Sequence, residues 1–393
     1  MAARFESNAS APSHALSPAN VRALLSEIFT EDLHARRVLS IANGVLGVLH
    51  AAALGIHAIG LGLAVATGLD PTHTTKQVDR LLSNRGVDPW ELTAAWIPFL
   101  VRERTEIVAA LDWTDHDADD QTTCVLSLVT DHGRTTPMVW KTVRKSELAG
   151  QQFAIETEVL DRAHASLPES VRVTLLADRG FGDQERYASL ANRGWDWVIR
   201  FRGNIHVRSA QGETRTAAAW VPAAGRPRML KGAAVTADEA PVPAVVVVKR
   251  AGMKEAWCLS TSRADLSATA VIALYGRRFT IEENFRDTKD PRFGLGLSSV
   301  RIRDVGRRDR LLLLAALAEA LLTLLGAASE RAGLSKRLYA GTSKTRVHSL
   351  FTQGQRWFQL LPTLREAWLR TLMTAFGEIL AEHQVTRKMF AVL

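Results

Sequence analysis

The alternation of apolar and polar positions changes character several times along this chain. Residues 17–104 carry helical spacing: an amphipathic stretch at 21–28, an apolar stretch at 41–69, then amphipathic runs at 74–83 and 90–104. Residues 1–16 read as a flexible leader, with a helix entered at the serine–proline step of residues 17–18. From residue 105 the period shortens. Apolar runs at 107–113, 122–130 and 135–143 predict three successive strands. A helix over 151–165, a strand over 171–177, a helix over 183–193 and a strand over 195–202 follow. This order predicts an α/β core, residues 105–202, with a mixed sheet flanked by helices. Residues 203–263 predict a β-rich insertion, with a hairpin from residue 203 and strands at 241–250 and 256–262. The core resumes over 264–330, and the helical C-terminal region fills 331–393.

The stretch 41–69 contains no Asp, Glu, Lys or Arg, and by length it is able to span a bilayer. It also holds His50, His57 and several glycines. The apolar run 311–328 is interrupted by Glu319. A buried helical pair is therefore expected at 41–69, and no membrane partner. Lys plus Arg number 49 against 41 Asp plus Glu, which favours a polyanionic partner. The N-terminal helical region carries Lys76, Arg80 and Arg85, which suit DNA contacts as well as a solvated face. Cys124 and Cys258, the only cysteines, sit in apolar runs. That suits two buried thiols in a reducing, cytoplasmic compartment and gives no zinc site. Neither a GxxxxGK nor an HExxH motif is present, so no nucleotide cofactor is expected.

One segment, LYGRRFTIEENFRDTKD, carries most of the candidate chemistry. Tyr275, Arg278, Glu282 and Lys289 lie at i, i+3, i+7 and i+14, within roughly 60° of arc on a continuous helix. A tyrosine, two cations and a carboxylate make a poor core seam. They suit a metal-ligating acid set among phosphate-binding groups. Glu283 lies about 100° off that stripe and is the weaker ligand. Arg286 shares the face as a secondary candidate.

Partner acids are expected where strands leave the core. Asp112 closes the run IVAALDW, and Asp178 closes VTLLADRGF. Asp115 competes with Asp112 but lies farther into the acidic loop. Each acid also has a plain alternative: a solvated loop for Asp112, a turn residue for Asp178, a surface ion pair with Arg278 for Glu282. Two or three carboxylates are the hard-oxygen ligands that Mg²⁺ or Mn²⁺ takes, and two such ions serve phosphoryl transfer.

Tyr275-x2-Arg278-x3-Glu282-x6-Lys289 is identical in spacing to the Y-R-E-K signature of the insertion-sequence-four family of bacterial DDE transposases. Asp178-Arg-Gly-Phe181 resembles that family's second-aspartate motif, and LDWT around Asp112 resembles the first. The resemblance runs from about residue 70 to 320. It implies a ribonuclease-H-like catalytic core, which the element order also matches, with the β-rich segment as the insertion before the glutamate. It further implies that Asp112, Asp178 and Glu282 bind two divalent ions, and that Tyr275, Arg278 and Lys289 hold DNA phosphates. Trp257 resembles the tryptophan that stacks on a flipped base. Arg179 is placed to bind phosphate or orient Asp178. The implied partners are double-stranded DNA, as transposon terminal repeats and target, and a second copy of the chain in a homodimer. The implied activity is cut-and-paste transposition. A nuclease without strand transfer, or an inactive DNA-binding relic, are the alternatives.

Overall fold

A computed structural model of the chain describes residues 16, 18–29, 33–236, 238–343 and 345–390, with side chains to residue 382. The expected leader, residues 1–16, lies outside these except for Leu16. Contacts within the chain define two compact units. One takes the chain up to Arg102 together with everything from Asp287 on; the other is Glu103–Arg286.

The first unit is helical. It contains α1 (Pro18–Phe29), α2 (Ala35–Ala51), α3 (Ile56–Thr67), α4 (Pro71–Ser83) and α5 (Thr93–Val101). The uncharged stretch divides between α2 and α3, which are bent by 95° at the break between them. Ala52 supplies the left-handed cap that ends α2. Their inward faces, including Ile41, Val45, Leu46, Ile59 and Leu63, are buried, as expected of a helical pair.

The second unit is built on one sheet. Its strands are β1 (Glu106–His116), β2 (Gln121–Val129) and β3 (Thr135–Arg144), then, beyond α6 (Gln152–Ser166), β4 (Arg172–Ala177). Helix α7 (Gln184–Asn192) leads to β5 (Asp196–Phe201). Residues 203–263 add β6 (His206–Arg208), β7 (Thr214–Thr216), β8 (Arg228–Val235), β9 (Ala240–Val248) and β10 (Trp257–Thr261). Among the described residues all ten strands join one mixed sheet, in the order β3-β2-β1-β4-β5-β10-β9-β8-β6-β7. The β-rich segment thus extends the core sheet through β10, which pairs with β5. The pairs β1–β4 and β4–β5 are parallel, whereas β2 runs antiparallel to β1 and β3.

Helix α8 (Ala268–Gly276), a single 3₁₀ turn at Arg277–Phe279 and α9 (Thr280–Lys289) follow the sheet. The division between the units, after Arg286, falls within the α9 residues. The helical unit then completes itself with α10 (Val305–Arg331), α11 (Leu350–Leu360) and α12 (Glu366–Phe390). By length and hydropathy α10 meets the requirement for a membrane span, but 72% of its apolar window is buried inside the protein. Glu319, which breaks its apolar run, is buried and accepts a hydrogen bond from Thr288 Oγ1 at 2.6 Å.

Backbone approach fixes the crossing of α10 and α11. A Cβ on Gly326 would lie 1.9 Å from the Leu350 carbonyl oxygen, and one on Gly354 would lie 1.8 Å from that of Leu322. The two glycines let each helix reach the other's backbone, and no side-chain rotation relieves such a clash. Gly377, in α12, has nothing near its missing Cβ. Gly354→Ala should therefore lower thermal stability by about 2 kcal/mol or more. Gly377→Ala should leave it unchanged or raise it by about 0.5–1 kcal/mol. Paired thermal melts of the two variants check this.

Candidate active site

The parallel ladder of β1 and β4 ends at the pair Leu111↔Ala177. The next residue on each strand is an aspartate, Asp112 and Asp178. Neighbouring strands lie about 5 Å apart, so the two acids emerge side by side. Strand periodicity fixes their face. Ala110 and Leu176, two residues earlier, belong to the apolar cluster that packs against Val271, Ile272 and Tyr275 of α8. The two carboxylates thus come out just beyond that layer, on the α8 side. Asp178 is the last extended residue before a 3₁₀ turn and its Oδ1 accepts the Gly180 N–H at 2.7 Å.

Asp112 does not close its strand as expected. The antiparallel pairing with β2 continues to His116↔Gln121, so β1 outlasts its parallel partner. The site lies where β4 stops.

Arg278, in the 3₁₀ turn after α8, joins the third acid to the first. Its Nη1 donates to Asp112 Oδ2 at 3.1 Å and its Nη2 to Glu282 Oε1 at 2.7 Å. The guanidinium is buried, Asp112 is 20% exposed, and Glu282 is 53% exposed. Burial, first, pushes the Asp112 carboxyl up to about 6. Arg278 and the Trp113 N–H oppose that rise, while Asp178 and Glu282 add to it. The negative charges of the other two acids are therefore felt at the Asp112 carboxyl.

These donors fit a hard divalent ion in kind, being carboxylates at one sheet edge. They are not drawn together: among the described residues no three acidic, histidine or cysteine side chains already form a metal-holding cluster. Arg278 stands between two of the acids, and its buried Nε has no hydrogen-bond partner.

The helical stripe is kept in part: Arg278 reaches Glu282 and lies 5.9 Å from the Tyr275 ring centre. A continuous helix was the basis for placing four residues on one face, but the turn at Arg277–Phe279 interrupts it. Tyr275, one member of a stripe expected to make a poor core seam, is 1% exposed and belongs to the apolar cluster under α8. An aromatic ring with a polar tip packs as readily as it binds phosphate. Lys289 is the last residue of α9 and belongs to the helical unit. Trp257, at the start of β10, meets the Tyr275 ring edge-on at 4.9 Å and lies 5.8 Å from Phe279. Arg179 pairs with Glu255 at 3.1 Å, and Glu255 also takes Arg200 at 2.8 Å. Of the competitors, Asp115 is paired with Lys145 at 2.7 Å. Glu283 pairs with Arg286 at 2.9 Å and Arg134 at 3.8 Å.

Phe279 escaped the sequence reading. It is 39% exposed beside Trp257, with the Arg278 guanidinium 4.6 Å from its ring centre. Its position next to Arg278 within the signature was the available signal.

The family model described as "Transposase DDE domain" matches residues 105–318, more than half of the chain. The chain belongs to the transposase DDE domain family. It is therefore a transposase, of a class that acts on DNA and generally uses divalent metal ions. No curated protein gives a significant match to it.

The raised Asp112 carboxyl has a consequence for the metal-free protein. Its folded value, about 6, exceeds the ordinary 3.8, so the native state binds the extra proton between those values. The penalty is absent below about pH 4 and complete above about pH 6, so stability falls as pH rises through that window. Asp112→Asn should be more stable than the parent at pH 7.5 in chelator by about 1–3 kcal/mol. The gap should close by about pH 4, as read from denaturant unfolding at both pH values.

Proposed function

We propose that this chain is a cut-and-paste transposase of the insertion-sequence-four type, built on a ribonuclease-H-like core. Asp112, Asp178 and Glu282 would together hold two divalent ions, Mg²⁺ or Mn²⁺. The observation that carries the reading is the side-by-side emergence of Asp112 and Asp178 at the end of one parallel ladder, with Glu282 tied to Asp112 through Arg278. The strand order β3-β2-β1-β4-β5, with β2 alone reversed, supports the core assignment.

When bound, the ions supply an activated water or hydroxyl and stabilise the leaving oxygen. The chain's own groups orient the strand. Arg278 carries a fixed positive charge at the acids and offers two donors in a fork, the geometry that recognises phosphate. A DNA phosphate entering the site would compete with the Asp112 and Glu282 carboxylates for that fork, and those carboxylates would then be free to serve as ligands. Lys289 serves as a further phosphate contact. Tyr275 supports Trp257 by edge-on packing more than it touches DNA, leaving Trp257 and Phe279 as the aromatic surfaces for a base. Arg179 reaches phosphate by exchanging its exposed partner Glu255. The substrates are the element's terminal repeats and a target duplex, held by a homodimer in the bacterial cytoplasm.

Purified protein with Mg²⁺ or Mn²⁺ should nick DNA that carries its element's terminal repeats and join the freed 3′ end to a second duplex. Glu282→Gln should lose nicking while retaining DNA affinity within a few-fold, because Arg278 keeps its charge. Unchanged nicking in Glu282→Gln would contradict the ligand assignment; nicking without joined product would leave a nuclease. Binding to the repeats should weaken about 10³-fold or more between 50 and 200 mM salt if six or more phosphates are contacted.

A further inference from the structure

Asp112 and Trp113 are consecutive residues of β1 and so project from opposite faces of the sheet. Asp112 meets Arg278, whereas Trp113 meets α6. There its Nε1–H donates to Glu156 Oε1 at 2.7 Å, and Gln152 Nε2 donates to the same oxygen at 3.0 Å. The other oxygen, Oε2, accepts from Arg186 Nη2 at 2.6 Å. Both side chains of this ion pair are buried, at 4% and 0% exposure. Arg186 also lies over the Phe153 ring at 4.2 Å.

A buried ion pair is a poor device for stability alone. Desolvation of the two charges offsets their attraction, and apolar residues of similar shape do as well or better. Burial raises the Glu156 carboxyl against the opposing pull of Trp113 and Arg186. What the pair does provide is a fixed acceptor for one indole N–H. That indole belongs to the residue whose backbone N–H donates to Asp112 Oδ1 at 2.9 Å, just past the end of the parallel ladder.

We infer that Glu156 is a positioning residue for Asp112. Arg186 holds Glu156, Glu156 holds the Trp113 indole, and the anchored Trp113 backbone holds the Asp112 carboxylate in one orientation. This rests on the reading of Asp112 as a catalytic acid. Groups that orient ligands in this way typically alter metal affinity or activity about 10–100-fold.

The test is a set of variants assayed for DNA cleavage, with folding checked by thermal melts. Trp113→Phe keeps an aromatic ring and removes the tethering N–H along with part of the indole's volume, whose packing cost the thermal melts report. It should lower kcat about 10–100-fold with KM for DNA unchanged. Replacing the pair by apolar residues, Glu156→Leu with Arg186→Met, should preserve folding yet lower kcat by a similar factor. Adding Trp113→Phe to that replacement should cost nothing more, because one tether is lost in both. Glu156→Gln with Arg186→Met retains an acceptor and should restore kcat to within a few-fold of the parent. A crystal structure of Trp113→Phe should show the Asp112 carboxylate in more than one rotamer. Parental kcat in Trp113→Phe, or losses that multiply independently, would overturn the inference, and Trp113→Phe decides alone if the double replacement fails to fold. Asp112→Asn separates the two levels. Normal cleavage in that variant removes the catalytic reading of Asp112 itself. Loss there with full activity in Trp113→Phe removes only the positioning role.

Discussion

The candidate active site depends on one constraint, the point at which β4 stops pairing with β1. Six residue pairs hold the two strands in parallel register from Glu106↔Arg172 to Leu111↔Ala177. A shift of one residue in either strand would carry its aspartate to the opposite face of the sheet. The apolar residues before each acid prevent that shift. Ala110 and Leu176 are buried under α8, while Leu111 and Leu175 are buried facing the other way. Register is thus set by burial on both faces, and the two carboxylates inherit their placement from it.

Electrostatics completes what register begins. Three acids at one edge repel one another, and Arg278 offsets that repulsion with hydrogen bonds to two of them. The same guanidinium is buried against Tyr275 and Phe279, so its charge stays at the acids. On the far side of β1, Glu156 and Arg186 place a second charged pair in the interior. The strand carrying Asp112 is therefore gripped from both faces by polar contacts, where an ordinary core strand has only apolar ones.

Much of this was legible in the chain. The strands over 107–113, 122–130, 135–143, 171–177 and 195–202 match β1 to β5 closely, because short β-branched runs bounded by polar residues carry a strong signal. The aspartates could be found because each ends an apolar run. What pattern could not supply was long-range pairing. Nothing local says that β1 continues past Asp112, since that depends on β2, whose partner residues include buried Thr122 and Thr123. The stripe on residues 275–289 crosses a 3₁₀ turn that helical arithmetic does not anticipate, yet Arg278 still reaches Glu282 and lies near the Tyr275 ring. The burial of Tyr275 is not legible, because an isolated tyrosine does not reveal the apolar layer beneath it. Glu156 and Arg186 lie thirty residues apart on separate helices, and their meeting is a property of the fold alone.

The central claim is that Asp112, Asp178 and Glu282 serve one divalent-ion site. Electron paramagnetic resonance of Mn²⁺ titrated into the protein bound to its terminal-repeat DNA tests it most directly. Asp112→Asn, Asp178→Asn and Glu282→Gln should each weaken Mn²⁺ binding by roughly 10-fold or more, without loss of DNA binding. Parental Mn²⁺ affinity in any one of the three would contradict the claim.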